Sequence, residues 1–345
     1  MNIVNKNTIF KSLKFCNITM QNANTLLSFI RFVIPAKAEI SKTIIGTTFF
    51  AIVFCSCQKE VEVKLPESKY KLVLNSVLST DSFVTVNVSR SKKLYIDDNK
   101  NVTISNAIVS VYENGNLLEN LPYTSDGVYK STITKPKIGN EYKIVVKADG
   151  YDNAEASETL IQQAIITNIV LEDSALFKEE QMYAKLSFEI SDVAGVNNYY
   201  EVSALSGFYQ KNYNPQTGQP TDSTYTQFLS YLTVTDEALK ENAQGGDIDG
   251  NTDYSDNAIL FSDKYFDGKT YKVNVYLSQY QFQKDTLTIK VKSMTKAYYE
   301  YRRTALLQST NQGDPFSEPV RVYTNVTGGL GILGSFTEVK KFIVK

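Results

Sequence analysis

Short segments in which apolar and polar residues alternate recur along this 345-residue chain and restrict it to a fold built mainly from β-strands. Residues 70–78 read YKLVLNSVL, residues 83–90 read FVTVNVSR, and residues 270–277 read TYKVNVYL. This alternation places every second side chain on one face of a half-buried strand. Turn residues separate the segments. Asn114-Gly115, for example, tolerates the positive φ that a tight hairpin needs.

The spacing of these segments predicts two domains. About six short strands with regular turn signals favour an Ig-like or transthyretin-like β-sandwich over residues 69–162. A second β-rich domain is expected over residues 163–345. Within it, residues 206–228 are rich in Tyr, Gln, Asn, Thr and Pro and are expected to form a long, solvated excursion with extended pieces.

Two helices are expected in the second domain. The clearer one covers Lys296 to Ser309, where Tyr298, Tyr301 and Ala305 recur at helical spacing. A shorter helix is expected to begin at Thr235 and to end at Gly245-Gly246. The overall prediction is therefore a mainly β protein with a helix in its C-terminal half.

The N-terminal 56 residues have the features of an export leader. Lys42 precedes an apolar stretch, residues 43–54, which is too short for a transmembrane helix and ends at Ser56-Cys57 before polar residues. A small residue directly before a cysteine is what lipoprotein signal peptidase requires, so Cys57 is the predicted lipid attachment site. The alternative is an ordinary buried segment with a free cysteine.

Around this site the leader and tether divide into three parts. Residues 41–56 form the predicted signal peptide. Residues 1–40 fit no signal pattern, and we expect translation to begin near Ser41. Residues 57–68 form a tether whose QKEVE sequence resembles the surface-export signal of Bacteroidota lipoproteins, and a plain solvated linker is the alternative.

Composition narrows the range of functions. The chain has no histidine and no tryptophan, which excludes His-based acid–base catalysis, Ser-His-Asp triads and imidazole zinc sites. Six basic residues and one acid precede Cys57, and subtracting them from 36 and 37 leaves 30 basic and 36 acidic residues. A mature body with this negative balance is not expected to bind nucleic acid.

The order of several segments resembles one family, the DUF4249 lipoproteins of Bacteroidota. The segments, which follow the lipid-site cysteine, are LVLNSVLS, FVTVNVSRSKKLY, ILFSDKYFDGKTYKVNV, YYEYRRTALLQ and PVRVYTNVTGGLGILGSF. The resemblance covers residues 57–345. It implies an outer-membrane lipoprotein, often associated with TonB-dependent transporters, and brings no catalytic or ligand residue with it.

Two clusters are candidate sites. Asp247, Asp249, Asn251 and Asp253 place oxygen ligands at every second residue, as calcium prefers, although the glycine and glutamate positions of an EF-hand are missing. A polar turn is the alternative, and no other cofactor is expected. Tyr209, Tyr213 and Tyr225 lie in the solvated excursion and are candidate partner or ligand contacts. The alternative for tyrosines of this region is that half face the core.

These features predict a non-enzymatic outer-membrane lipoprotein, lipid-anchored and facing the cell surface. Its expected role is that of an accessory or cargo-binding partner of a TonB-dependent transporter or related envelope complex. A stand-alone surface glycan or peptide binder is the first alternative. A hydrolase that uses two carboxylates is the second, since glycoside hydrolysis needs no more than such a pair.

Overall fold

The alternation of the first predicted segment is preserved in the structure, a computed structural model that describes residues 69–92, 102–178, 180–240, 254–278, 285–310, 318 and 320–344. Strand β1 (Leu72–Leu78) buries every second residue and leaves the intervening ones half-buried. Asn114 and Gly115, with φ of 50° and 83°, connect β3 (Ile108–Glu113) to β4 (Asn116–Asn120), as the predicted hairpin requires.

The described strands form three sheets. In spatial order the four-stranded sheet consists of β4, β3, β7 (Glu141–Lys147) and β8 (Ala154–Thr159). The five-stranded sheet consists of β14 (Tyr254–Asp256), β13 (Leu232–Val234), β16 (Thr270–Ser278), β10 (Gln181–Ser191) and β9 (Ile165–Lys178). The nine-stranded sheet consists of β12 (Pro220–Ser230), β11 (Tyr199–Tyr213), β17 (Thr286–Met294), β18 (Leu330–Val344), β1, β2 (Thr85–Arg90), β6 (Val128–Lys130) and β5 (Tyr123–Ser125), with β15 (Ala258–Ser262) also paired to β11.

Among the described residues, two large apolar cores form on the nine-stranded sheet, beside a smaller third cluster around Met294. The first includes Leu74 of β1, Val88 of β2 and Ile144 of β7, so the four-stranded sheet packs on this part to make a β-sandwich. The second includes Val202 of β11 and Val275 of β16 and joins the five-stranded sheet to the other part. With a sandwich in the N-terminal half, the predicted fold class is confirmed as mainly β.

Strand β18 links the two cores. Its first residues, Leu330–Ser335, pair in parallel with β1, and residues 336–344 pair antiparallel with β17. Leu333 belongs to the first core, whereas Ile343 packs against the second. The C-terminal strand therefore completes the same sheet in both halves, and the predicted boundary between residues 162 and 163 stays a prediction.

The predicted C-terminal-half helix is present as α1 (Lys296–Thr310), the one α-helix among the described residues. It lies against β18, where Gly334 leaves room for Tyr298: a Cβ at residue 334 would lie 2.7 Å from the Tyr298 Cβ. In the part of the chain that the structure describes, no helix is both long and apolar enough to cross a membrane.

Residues 206–228 are extended and largely exposed, as predicted, and the structure adds that the extended pieces form one hairpin. Strands β11 and β12 pair continuously from Ala204↔Ser230 to Lys211↔Ser223, and the connecting turn covers 214–219. Cross-strand pairing satisfies the backbone of this polar sequence and stabilises strands that composition alone does not favour. Of the helix predicted from Thr235 to Gly245-Gly246, the residues up to Lys240 form one turn, in which the Lys240 amide donates to the Asp236 carbonyl, and the remainder lies outside the described residues.

Candidate binding face of the nine-stranded sheet

The candidate site lies on the face of the nine-stranded sheet opposite the second core, called here the outer face. Odd-numbered residues of β11 and even-numbered residues of β17 point to it, because their neighbours Val202 and Val291 point into the core. Helix α1 covers the beginning of β11 on this side. Beyond the helix, the face continues to the β11–β12 hairpin. Thr288 and Thr286 of β17 are still buried there, at 8% and 4% exposure, and side chains of β11 become exposed from Tyr209 onward.

The three predicted contact tyrosines all lie in this hairpin. Tyr209 and Tyr213 belong to β11 and are each 58% exposed, and Tyr225 of β12 is 37% exposed. Tyr209 and Tyr225 are direct cross-strand partners whose ring centroids lie 4.9 Å apart. The structure thus combines two of the predicted residues into one aromatic pair and leaves Tyr213 nearer the turn.

A glycine fixes the position of this pair. Gly207 of β11 lies between Tyr225 and Thr286, whose hydroxyl oxygens are 2.7 Å apart across it. A Cβ at residue 207 would come within 2.2 Å of the Tyr225 Oη, so only glycine leaves room for the ring to cross the strand. Tyr209, the other tyrosine of the pair, is held through its backbone: its amide donates a hydrogen bond to the Asp285 carboxylate at 2.8 Å.

Nearer the helix, a buried carboxylate joins three elements. Glu201 of β11 is 3% exposed, and its Oε1 lies 2.6 Å from the Nζ of Lys292, its cross-strand partner on β17. Its Oε2 lies 2.8 Å from a guanidinium nitrogen of Arg302 on α1, close enough for an ion pair but without the alignment of a hydrogen bond. A buried carboxylate requires cationic partners to offset its lost hydration. The contact with Arg302 therefore links the helix to the sheet.

A cavity of about 460 Å³ opens beside this cluster. Its walls carry three cationic side chains, Lys290, Lys292 and Arg302, and two carboxylates, Glu201 and Glu338. Apolar and hydroxyl groups complete the lining, among them Leu229, Leu306, Ser203 and Ser309. The cavity, referred to below as the cationic cavity, therefore has a positive balance in a chain whose overall formal charge is −1.

Lysines also face each other at the edge of this cavity. Lys290 of β17 and Lys340 of β18 are direct cross-strand partners. Lys340 has carboxylates of its own, Glu338 at 2.9 Å and Asp81 at 3.6 Å, and its hydrogen bond to Glu338 raises its pKa above the usual lysine value. Lys290 has no ion-pair partner within the described part of the chain. Like charges in directly opposite strand positions are destabilising.

A second cavity, lined by Asp263 and Asp267, contains a carboxylate cluster. One carboxylate oxygen from each of Asp192, Asp263 and Asp267 lies within 4.8 Å of the other two. Burial, followed by the charges of Asp192 and Asp267, raises the Asp263 pKa above its usual range, although the Asn198 amide opposes this. Asn198, Tyr200 and the Gly268 amide also donate to the cluster. We interpret it as a network that organises the turns around it.

The remaining predicted site residues lie outside the described residues. They are Cys57 and the calcium candidates Asp247, Asp249, Asn251 and Asp253. The residues that sequence analysis missed are Glu201, Gly207, Lys290, Lys292 and Arg302. The Lys290-x-Lys292 spacing on one strand face was a visible signal, but the partner strand and its register were not.

The chain matches one protein family and has distant likenesses to solved structures. No curated protein sequence matches this chain. Among solved structures, a β-glucuronidase from glycoside hydrolase family 2 is 12% identical with a TM-score of 0.18, covering 78% of this chain and only 22% of its own. Collagen adhesin (CNA) from S. aureus is 8% identical with a TM-score of 0.19, covering 81% of this chain and 95% of its own. At these scores neither likeness extends to function.

The family model "Domain of unknown function (DUF4249)" matches residues 58–341. The matched segment includes the nine-stranded sheet almost entirely, the hairpin and the residues of the cationic cavity. The chain belongs to the DUF4249 family.

Proposed function

We propose that this chain is a non-enzymatic, surface-facing outer-membrane lipoprotein of a Bacteroidota envelope. It is anchored through Cys57 and acts as an accessory, cargo-binding partner of a TonB-dependent transporter or related complex. The observation that carries the proposal is the β11–β12 hairpin, whose distal half presents Tyr209, Tyr213 and Tyr225 to solvent.

The anchor is supported by the position of the family match. It begins at residue 58, immediately after the predicted lipid-bearing Cys57, so the family-specific body follows the lipid site directly. A diacylglyceryl cysteine that is also N-acylated supplies the two hydrophobic signals that stable membrane attachment requires.

The hairpin is suited to docking because of its exposure and composition. All residues from Pro220 to Gln227 of β12 are exposed, and so are Tyr209 to Lys211 on the paired strand. Exposed tyrosines supply large contact area at a small loss of side-chain entropy, and aromatic residues are enriched where proteins bind one another. Neighbouring Thr, Asn and Gln side chains provide the polar rim of such a surface.

The test is recovery of a transporter with the tagged full-length protein from gently solubilised outer membranes. We expect one β-barrel transporter in near-stoichiometric amount, lost in Cys57→Ala because the protein no longer reaches the membrane. The double variant Tyr209→Ala/Tyr213→Ala should recover much less of it. Tyr265→Ala is the matched control, since Tyr265 is 59% exposed and lies outside the hairpin.

Recovery of no barrel, with lipidation at Cys57 confirmed by mass spectrometry, contradicts the transporter partnership. The cationic cavity would then favour the alternative of a stand-alone surface binder. Equal losses with Tyr265→Ala and with the hairpin variant would remove the hairpin from the docking surface.

A further inference from the structure

We infer that the outer face binds an acidic oligosaccharide, with a sugar carboxylate held at Lys290 in the cationic cavity and a sugar ring against the Tyr209–Tyr225 pair. This inference rests on the proposed cargo-binding role and names the class of cargo. It depends on three features of one sheet face: an uncompensated cation, an open cavity and a fixed aromatic platform.

The uncompensated cation is Lys290. Its cationic neighbours on the outer face are Lys292 on the same strand and Lys340 directly opposite, and each of these has a carboxylate partner at 2.6 or 2.9 Å. Glu338, the partner of Lys340, also lines the cavity. Lys290 has no carboxylate partner among the described residues. A bound carboxylate beside Lys290 would relieve the repulsion from the facing Lys340 and accept charge-assisted hydrogen bonds.

The cavity combines ordered cations with hydroxyl groups and an apolar wall. Glu201 holds the Lys292 ammonium and the Arg302 guanidinium in fixed positions, at 2.6 and 2.8 Å, so these cations are ordered before any ligand arrives. Ser203 and Ser309 add hydroxyl groups, and Leu229, which is 52% exposed, gives the wall an apolar part. Sites that bind small ligands combine an apolar wall with a few fixed polar groups.

The aromatic platform lies on the same face as the cavity. The Tyr225 hydroxyl hydrogen-bonds to Thr286, which is four residues before Lys290 on β17. The backbone positions of Thr286 and Lys290 are therefore about 13 Å apart along the strand. Tyr209 is 58% exposed in the chain by itself. A short chain of sugar units spans this distance and presents both C–H faces for the rings and carboxylates for the lysine.

The same chemistry disfavours an acidic peptide. A peptide of similar charge would meet Lys290 equally well, but its flexible backbone has no rigid apolar ring face to lie on the two tyrosines. The ring platform is therefore the feature that selects a sugar, and an acidic peptide becomes an outcome of the test.

The experiment is calorimetric titration of the detergent-purified full-length lipoprotein with trigalacturonate. Neutral galactotriose and triglutamate are the comparison probes. We expect binding of trigalacturonate, at least about tenfold weaker binding of either comparison probe, and weakening with added salt. Lys290→Gln should weaken trigalacturonate binding about tenfold, since a hydrogen bond to a charged group contributes on this scale.

Lys147→Gln is the matched control, because Lys147 is a strand lysine of the four-stranded sheet, away from this face. It should leave the affinity unchanged. No binding of trigalacturonate, equal binding of galactotriose or triglutamate, or full affinity in Lys290→Gln would each overturn the inference. Transporter recovery by Lys290→Gln is expected to stay normal, which separates failure of this inference from failure of the proposed docking role.

Discussion

The two halves of β11 show how one strand serves structure at one end and a candidate surface at the other. In the first half, Tyr199–Ala204, one face packs into the second core and the other lies under α1, where Glu201 is 3% exposed. In the second half, Tyr209–Tyr213, side chains are exposed on both faces and the strand's stability depends on pairing with β12. Burial thus assigns the first half to stability and leaves the second half free to contact other molecules.

The largest effect is expected from removing the buried carboxylate of the first half. Glu201→Ala leaves Lys292 and Arg302 without their shared partner beneath the helix. Because these cations are 18% and 34% exposed, water offsets part of the loss, and we expect the free energy of unfolding to fall by about 2–3 kcal/mol. Urea unfolding followed by circular dichroism measures it.

The control for this variant is Glu155→Ala, which breaks the exposed 2.9 Å pair with Lys143 and should cost less than about 1 kcal/mol. A double variant, Glu201→Leu with Lys292→Met, should regain most of the lost stability because apolar groups of similar volume replace the buried charges. Equal effects of Glu201→Ala and Glu155→Ala would contradict the structural role of the buried cluster.

An intermediate effect is expected at Gly207, where the two halves meet. Gly207→Ala places a methyl group within 2.2 Å of the Tyr225 hydroxyl, and overpacking of this kind costs about 1–3 kcal/mol. In a Tyr225→Ala background the same substitution should cost less, because the ring that it strikes is gone. A double-mutant cycle from urea unfolding tests this, and identical costs in both backgrounds would show that Tyr225 does not need the glycine.

The smallest effect on stability is expected in the second half. Tyr209→Ala/Tyr213→Ala removes side chains that are each 58% exposed, and the loss of one cross-strand aromatic pair should change the free energy of unfolding by less than about 1 kcal/mol. The same urea measurement applies. A loss above about 2 kcal/mol would show that these rings stabilise the fold and would weaken the case for a docking surface.

Much of the fold was predictable because its signals are local. Alternation in β1, positive φ at Asn114-Gly115 and helical spacing after Lys296 each depend on neighbouring residues alone, and all three match the structure. The exposure of Tyr209 and Tyr213 also followed from their polar surroundings.

The pairing of residues 206–228 could not be predicted from the sequence. Their polar composition predicted a solvated stretch with extended pieces, and the structure adds that β11 and β12 pair with each other and so supply the backbone hydrogen bonds. The turn after Thr235 also has a contact that the sequence could not show: Asp236 accepts a hydrogen bond from the Ala238 amide with one carboxylate oxygen and from the distant Tyr271 hydroxyl with the other.

The sequence by itself determined the class of fold and the strand and helix periodicities, because each is set by residue type and short-range spacing. Only the tertiary structure decided that Glu201 meets Lys292 and Arg302, that Lys290 faces Lys340, and that Gly207 lets Tyr225 cross the strand. These contacts depend on strand register and on packing between distant segments. A shift of one residue would turn every side chain of a strand to the other face.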